Sequence, residues 1–187
     1  MIRADAVAQV AAVLAPDALV ITCNGMIGRE LYTRADAPTR FYMIGSMGLA
    51  SSIGLGVALV QPARTVVVFD GDGNVLMNFG GLASVAAARP GNFHHIVFDN
   101  AAHGSTGNQR TISDRVPLEH VARAAGYRRT ARVGDADQLR SELASWFDAP
   151  GPSMLLVTVD RRNIAGIGRV EPEPPAIAAR FRAACTR

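Results

Sequence analysis

Two apolar runs, Val66-Val67-Val68-Phe69 and Ile96-Val97-Phe98, contain no alternating polar residue. Each stops at an acidic side chain followed by turn residues: Asp70-Gly71-Asp72-Gly73 in the first case, Asp99-Asn100 in the second. A strand that lacks polar alternation is buried on both faces, and such strands belong to parallel sheets covered by helices on either side. The rest of the chain follows that plan. Helical periodicity is predicted over residues 4–14, 25–32, 45–60, 76–88, 117–126 and 135–147, and strands over 18–23, 41–44, 64–69, 93–98, 127–133 and 154–159. The expected fold is therefore α/β, a single doubly wound parallel sheet with helices on both faces. It is expected to occupy residues 1–170. Pro172, Pro174 and Pro175 mark a surface linker, and a short terminal helix completes residues 171–187.

A chain of 187 residues suits one domain. Its 49% apolar and 6% aromatic content fits an Ala/Gly/Val-rich α/β core. The nineteen cations are all arginines, scattered along the chain, and the net charge is only +3. That is a solvated surface rather than a nucleic-acid footprint. Without lysine there is neither a Schiff-base mechanism nor a P-loop lysine. The first strand is not followed by Gly-x-Gly-x-x-Gly, and the chain has no Gly-x-Ser-x-Gly elbow, which argues against a dinucleotide module and a serine hydrolase. Cys23 and Cys185 lie too far apart for a disulfide framework or a zinc spacing; Cys23 is expected to be core filler. The start of the chain reads as an amphipathic helix, not a signal peptide. Residues 43–60 are interrupted by four glycines and three serines, so they are not expected to cross a membrane. A reducing, cytoplasmic setting follows as the expectation.

Ligands of such sheets bind beyond the carboxyl ends of the strands. The residues to inspect are thus Asn24-Gly25, Gly45-Ser46, Asp70 to Asn74, Asp99 to Gln109, and Arg161 onward. Asp72 stands between two glycines, Gly71 and Gly73, whose backbone can approach a ligand closely and present N–H groups to an anion. The helix that follows adds its positive end. A carboxylate in a phosphate cradle repels the phosphate unless a cation lies between them. The pattern therefore asks for a divalent metal, and magnesium, which shares oxygen ligands with substrate phosphates, fits. Asn100, 28 positions after Asp72, supplies a neutral oxygen at the end of the next strand, and Ala102 a backbone carbonyl. With two phosphate oxygens and a water, these complete an octahedral shell.

Gly71-Asp72-Gly73-Asn74 followed by Phe98-Asp99-Asn100 resembles the thiamine diphosphate signature, in which Gly-Asp-Gly and a later Asn-Asn hold the metal-bound diphosphate. Asp99 stands in place of the first Asn, and Asn74 in place of the usual Ser. The stretch FYMIGSMGLASSIGLG is similar to the segment of these enzymes that bends the cofactor. By that likeness Met47 is the apolar wedge and the Gly45 carbonyl accepts the cofactor's amino group. DNAAHGSTGNQRT is similar to the Asp-Asn-Gly-x-His/Tyr-x-Ser-Thr-Gly-Gly-Gln stretch of sulfopyruvate and phosphonopyruvate decarboxylases. Ala101 and Asn108 stand where that pattern has glycine. A left-handed backbone is not expected of alanine but is tolerated by asparagine.

The resemblance implies decarboxylation of a small 2-oxoacid with thiamine diphosphate and Mg2+. It implies His103 as the proton-transfer residue, and Ser105, Thr106, Gln109 and Arg110 as pocket candidates with Gly104 in the same loop. Asn24, Gly25 and Met26 are expected to meet the diphosphate through their backbone. His94 and His95 enter a strand and are expected to have a packed or edge role, and His120, mid-helix, reads as bland. The family also needs a glutamate on a separate pyrimidine-binding domain. None of Glu30, Glu119, Glu142, Glu171 and Glu173 falls where it belongs, and all five read as solvated surface. The chain is therefore expected to be a β-type subunit completed by an α-type, pyrimidine-binding partner in an α2β2 or larger hetero-oligomer. The alternatives are a non-catalytic regulatory subunit that binds thiamine diphosphate, or a subunit of a different thiamine-dependent ligase or synthase.

Overall fold

The computed structural model describes residues 1–186. In chain order the elements are α1 (Arg3–Ala12), β1 (Leu19–Thr22), α2 (Met26–Ala35), β2 (Arg40–Tyr42), α3 (Ala50–Val60), β3 (Val66–Gly71), α4 (Asp72–Met77), α5 (Gly80–Ala88), β4 (Phe93–Asp99), β5 (Ala102–His103), β6 (Gln109–Arg110), α6 (Leu118–Ala125), β7 (Arg129–Val133), α7 (Ala136–Leu143), β8 (Ser153–Thr158) and α8 (Pro174–Cys185). Six strands form one parallel sheet in the order β2-β1-β3-β4-β8-β7. β3 and β4 are buried along their whole length. Helix α1 packs on α2 and α7, while α3 packs on β1, β3 and β4 and beside α5. This covers both faces of the sheet, the doubly wound plan expected from the apolar runs. Gly54 permits the close approach of α3, since a Cβ there would sit 2.3 Å from Val68 Cγ2.

The structure corrects several sequence-derived boundaries. Gly45 does not open a helix; α3 starts only at Ala50. Ser46 (φ 55°) and Gly48 (φ 94°) are left-handed, a conformation no right-handed helix can contain. The helix expected over 76–88 is two helices. The first begins at Asp72 itself and ends at Asn78 (φ −134°, ψ 60°), and α5 follows. Helix α7 is capped by the Asp135 carboxylate, which accepts from the N–H groups of Asp137 (3.0 Å) and Gln138 (2.9 Å). It ends at Leu143 rather than 147, and Trp146 fills the core from the turn beyond. The polar loop after β4 forms the antiparallel pair β5–β6. The terminal helix α8 is not short. It has 12 residues and docks on the sheet edge, with Phe181 against Phe41 and Arg180 forked onto Asp36 at 2.8 and 2.9 Å.

His94 and His95 are both packed inside the sheet. His94 Nδ1 lies 2.9 Å from Ser153 Oγ, and His95 Nε2 lies 3.1 Å from Asp70 Oδ2. Burial, with the Arg129 charge adding to it, lowers the His94 pKa from 6.5 to about 4. The unfolded chain therefore binds the extra proton between those two values. Stability from this group is complete above about pH 6.5 and is lost as pH falls toward 4, up to about 3 kcal/mol. Denaturant titrations at pH 7 and near pH 4 are expected to show that loss in the wild type. H94Q is expected to be less stable at pH 7 but flatter across the same range.

Candidate functional site

The sheet order reverses between β1 and β3: the chain leaves β1 toward β2 and leaves β3 toward β4. Crevices at such switch points open beyond the carboxyl ends of the strands. A cleft lies there, walled by Asn24, Gly25 and Met26 after β1, by Gly71 to Asn74 after β3, and by Asn100 with Ala102 to Ser105 after β4; Met47, Ile27, Phe98 and Arg3 complete it. Most of the residues singled out in the sequence meet here. Gly45 and Ser46 do not; they line a neighbouring apolar groove with Met43 and Ile44. Thr106 is exposed, its hydroxyl donating to Gln109 Oε1 at 2.7 Å.

Asp72 opens α4 and is 2% exposed. Its Oδ2 accepts from the Thr111 hydroxyl, and Ser113 Oγ lies 3.4 Å from the same oxygen. The single Ser113 proton goes to Asp99 Oδ1 at 2.7 Å. Burial, foremost, pushes the Asp72 carboxyl upward; the Thr111 hydroxyl opposes that shift, and the nearby Asp99 charge reinforces it. Asn100 Oδ1 accepts from the Ala102 N–H at 3.1 Å, and the Ala102 carbonyl accepts from Gly104 N–H at 3.1 Å. Asn74 is buried, and its Oδ1 accepts from Gly48 N–H at 3.1 Å, tying the left-handed loop before α3 to the cleft. Its amide nitrogen carries no bond to the protein among the described residues and remains a donor in the cleft wall. Asn24 Oδ1 is buried with no partner.

Gly73 faces His103 and Met47 directly. A Cβ there would fall 2.6 Å from His103 Nδ1 and 3.2 Å from Met47 Cε. Both side chains can line the cleft only because position 73 has no side chain. Ala101 is left-handed (φ 51°), contrary to the expectation for alanine, and so is Asn108 (φ 54°). Strain at Ala101, of order 1–3 kcal/mol, is offset by its surroundings. Its N–H donates to Asp99 Oδ1 (2.9 Å), and its carbonyl accepts from Arg161 (3.2 Å) and from the Thr111 N–H (3.2 Å).

The sequence reading missed Thr111 and Ser113, whose spacing of two places both hydroxyls beside Asp72 once the β5–β6 pair folds back. It also misjudged two glutamates. Glu30 and Glu119 are 1% and 4% exposed, not solvated. Arg3 forks onto Glu30, and Arg132 onto Glu119 with two contacts of 2.8 Å. No glutamate lines the cleft.

The cleft thus offers one carboxylate, three carboxamides (Asn24, Asn74 and Asn100) and a ring of backbone groups. Among the described residues no three His, Cys, Asp or Glu side chains gather as a metal cluster. A single carboxylate with neutral oxygens is the donor set that magnesium accepts when phosphates supply the rest. The unclaimed Asn74 amide nitrogen and the bare Gly73 leave a donor and room for a diphosphate, while the orphaned Asn24 Oδ1 leaves an acceptor for a donor group.

Fold and cleft together define a domain that binds a phosphorylated coenzyme at a sheet switch point. The chain belongs to the thiamine pyrophosphate enzyme family, matching the C-terminal TPP-binding domain over residues 20–157. It is 45% identical over 180 residues to the phosphonopyruvate decarboxylase of Streptomyces hygroscopicus, a match covering 96% of this chain and 45% of that protein. It is 47% identical over 148 residues to the sulfopyruvate decarboxylase subunit beta of Methanothermobacter thermautotrophicus, 79% of this chain and 77% of the relative. The thiamine diphosphate-dependent 4-hydroxybenzoylformate decarboxylase of Rhodococcus jostii superposes with a TM-score of 0.70 at 18% identity, covering 86% of this chain and 33% of that one, a likeness of fold. The chain spans about half the length of the phosphonopyruvate decarboxylases it matches.

G73A is expected to keep the fold, since alanine suits a helical position, while displacing His103 and Met47. Calorimetry should show thiamine diphosphate with Mg2+ binding at least about tenfold more weakly, with a melting temperature near that of the wild type.

Proposed function

We propose that this chain is the thiamine diphosphate- and Mg2+-binding subunit of a two-chain decarboxylase acting on a sulfonated or phosphonated pyruvate. One observation carries the reading: the cleft holds metal and diphosphate donors but no glutamate. Glu30, Glu119 and Glu142 are committed to Arg3, Arg132 and Arg129, and Glu171 lies against Tyr32. Glu173 caps α8. The group that activates the pyrimidine must come from another polypeptide segment, which we assign to an α-type partner. The relative of which this chain covers 77% is named as a beta subunit, which supports that assignment. Apolar side chains exposed beside the cleft, Ile44, Leu49, Met77 and Ile112, give the partner a surface to cover.

In this reading Asp72, Asn100 and the Ala102 carbonyl hold the metal. Gly71, Gly73, Asn74, Asn24 and Gly25 face the diphosphate, with Ser105 closing the loop at Gly25. Met47 supports the rings. Bound thiamine diphosphate supplies the electron sink that accepts the electron pair left as carbon dioxide departs. His103, at the mouth of the cleft and braced by Gly73, holds and delivers a proton to the reacting carbon. Thr111 and Ser113 keep Asp72 in place. The long match over 99–111 favours a substrate bearing a second anion, for which Ser105 in the cleft wall offers a hydroxyl. Gln109 and Arg110 are exposed outside that wall, Arg110 paired with Asp114 and Gln109 Oε1 accepting from Thr106 and Gly107. Free thiols at Cys23 and Cys185 suit a reducing cytoplasm, and no helix of the described residues is long and apolar enough to cross a membrane.

The purified chain is expected to release no carbon dioxide from sulfopyruvate or phosphonopyruvate. Adding an α-type partner should start turnover, and activity of the chain alone would defeat the split-site reading. D72A is expected to abolish Mg2+-dependent binding of thiamine diphosphate, as chelation with EDTA should in the wild type. Unchanged affinity in calorimetry would show the metal assignment to be wrong.

A further inference from the structure

Arg3 is the only arginine among the residues that wall the cleft. It begins α1 and is 3% exposed. Nε donates to Glu30 Oε2 at 2.9 Å, and Nη2 donates to Glu30 Oε1 at 2.9 Å and to Asn163 Oδ1 at 2.7 Å. Nη1 has no acceptor among the described residues. It lies on the Gly104 wall of the cleft, where a Cβ on Gly104 would be 3.4 Å from Arg3 Nη1 and 3.4 Å from Asn100 Nδ2. Asn163 also donates to the Gly104 carbonyl at 3.2 Å, so one carboxamide fixes both the guanidinium and that wall.

A guanidinium has five donors in a rigid fork. Here one edge is held by a buried carboxylate, and the remaining nitrogen is turned toward an anion site. A diphosphate together with Asp72 carries more negative charge than one divalent cation cancels. On the cofactor reading above, which this inference extends, we propose that Arg3 is a diphosphate-anchoring residue, with its Nη1 N–H groups donating to a phosphate oxygen at the Gly104 wall. Asn163 and a Glu30 side-chain oxygen position it, an acceptor that glutamine at position 30 retains. Glu30 also supplies the counter-charge that a buried guanidinium needs while the cleft lacks an anion.

A purely structural role for the pair makes a different forecast, because Arg3→Met and Glu30→Gln break the same ion pair. The test is calorimetric titration of inorganic pyrophosphate with Mg2+, and separately thiamine diphosphate with Mg2+, into wild type, R3M, R3K and E30Q, with a thermal melt of each. R3M and E30Q are both expected to melt earlier. R3M is expected to bind pyrophosphate at least about tenfold more weakly, R3K to lie between R3M and wild type, and E30Q to bind at least as tightly as wild type. Equal weakening in R3M and E30Q, or no change in R3M, overturns the role of Arg3. If R3M does not fold, R3K against E30Q decides: weaker binding in R3K with unchanged or tighter binding in E30Q supports the proposal, and any other pattern overturns it. Wild type that takes up neither ligand overturns the cofactor reading and this proposal with it, an outcome separate from the others.

Discussion

The buried carboxylate of Asp72 is the group around which this end of the molecule is organised. Desolvating an ionised carboxylate costs several kcal/mol unless charge or hydrogen bonds answer it. Among the described residues no arginine pairs with Asp72. Its Oδ2 accepts instead from the Thr111 hydroxyl, with the Ser113 hydroxyl beside it donating to Asp99. Thr111 and Ser113 reach that point only because the chain turns back after β4 through the β5–β6 pair. That turn requires the left-handed Ala101, which Arg161 clamps through the carbonyls of Asn100 and Ala101 at 3.1 and 3.2 Å. A strained backbone, a two-residue strand pair and a basic residue from beyond β8 thus serve one side chain. Hydroxyls can orient a carboxylate but do not neutralise it, so the remaining charge is available to a cation.

The topology sets where that cation would lie. Right-handed crossovers carry the chain from β1 to one side and from β3 to the other, so their ends diverge and leave a gap that no connection covers. Below the gap, Asp70 is tied to His95 at 3.1 Å and to the Gly71 N–H at 3.0 Å. This fixes the strand end from which Asp72 departs. Beside it, Arg3 and Glu30 join α1 to α2 across 27 residues of sequence.

The sequence was legible where local pattern and function coincide. β3 and β4 show as unbroken apolar runs, and the glycine-flanked aspartate and the Asp-Asn stop show as departures from them. It was not legible where meaning depends on distant partners. Arg3 and Glu30 look like ordinary helix-surface charges; only tertiary packing removes both from water. Thr111 serves a carboxylate 39 positions earlier, a pairing that no local window contains. The misplaced start of α3 has a local cause hidden from composition: Ser46 and Gly48 take left-handed conformations because Asn74, from another loop, holds the Gly48 N–H. Ala101 shows the same effect, with tertiary hydrogen bonds overriding the steric preference of a single residue.

The open cleft also bears on why binding and turnover would be divided between chains. Polar groups stabilise a developing charge far more strongly once water is excluded, and Ile44, Leu49 and Met77 are exposed, the first two in the groove that holds Gly45 and Ser46. A partner that buries those residues would complete three things at once. It would bring in the missing carboxylate, shut out water around His103, and lower the effective dielectric around Asp72, Asn100 and Arg3. As proposed, metal and diphosphate anchoring would need only groups already held here by Thr111, Ser113, Glu30 and Asn163. Proton transfer at the reacting carbon depends on a dry, closed site. On the proposed reading, this chain can hold the charged end of the coenzyme by itself while its chemistry waits for the second surface.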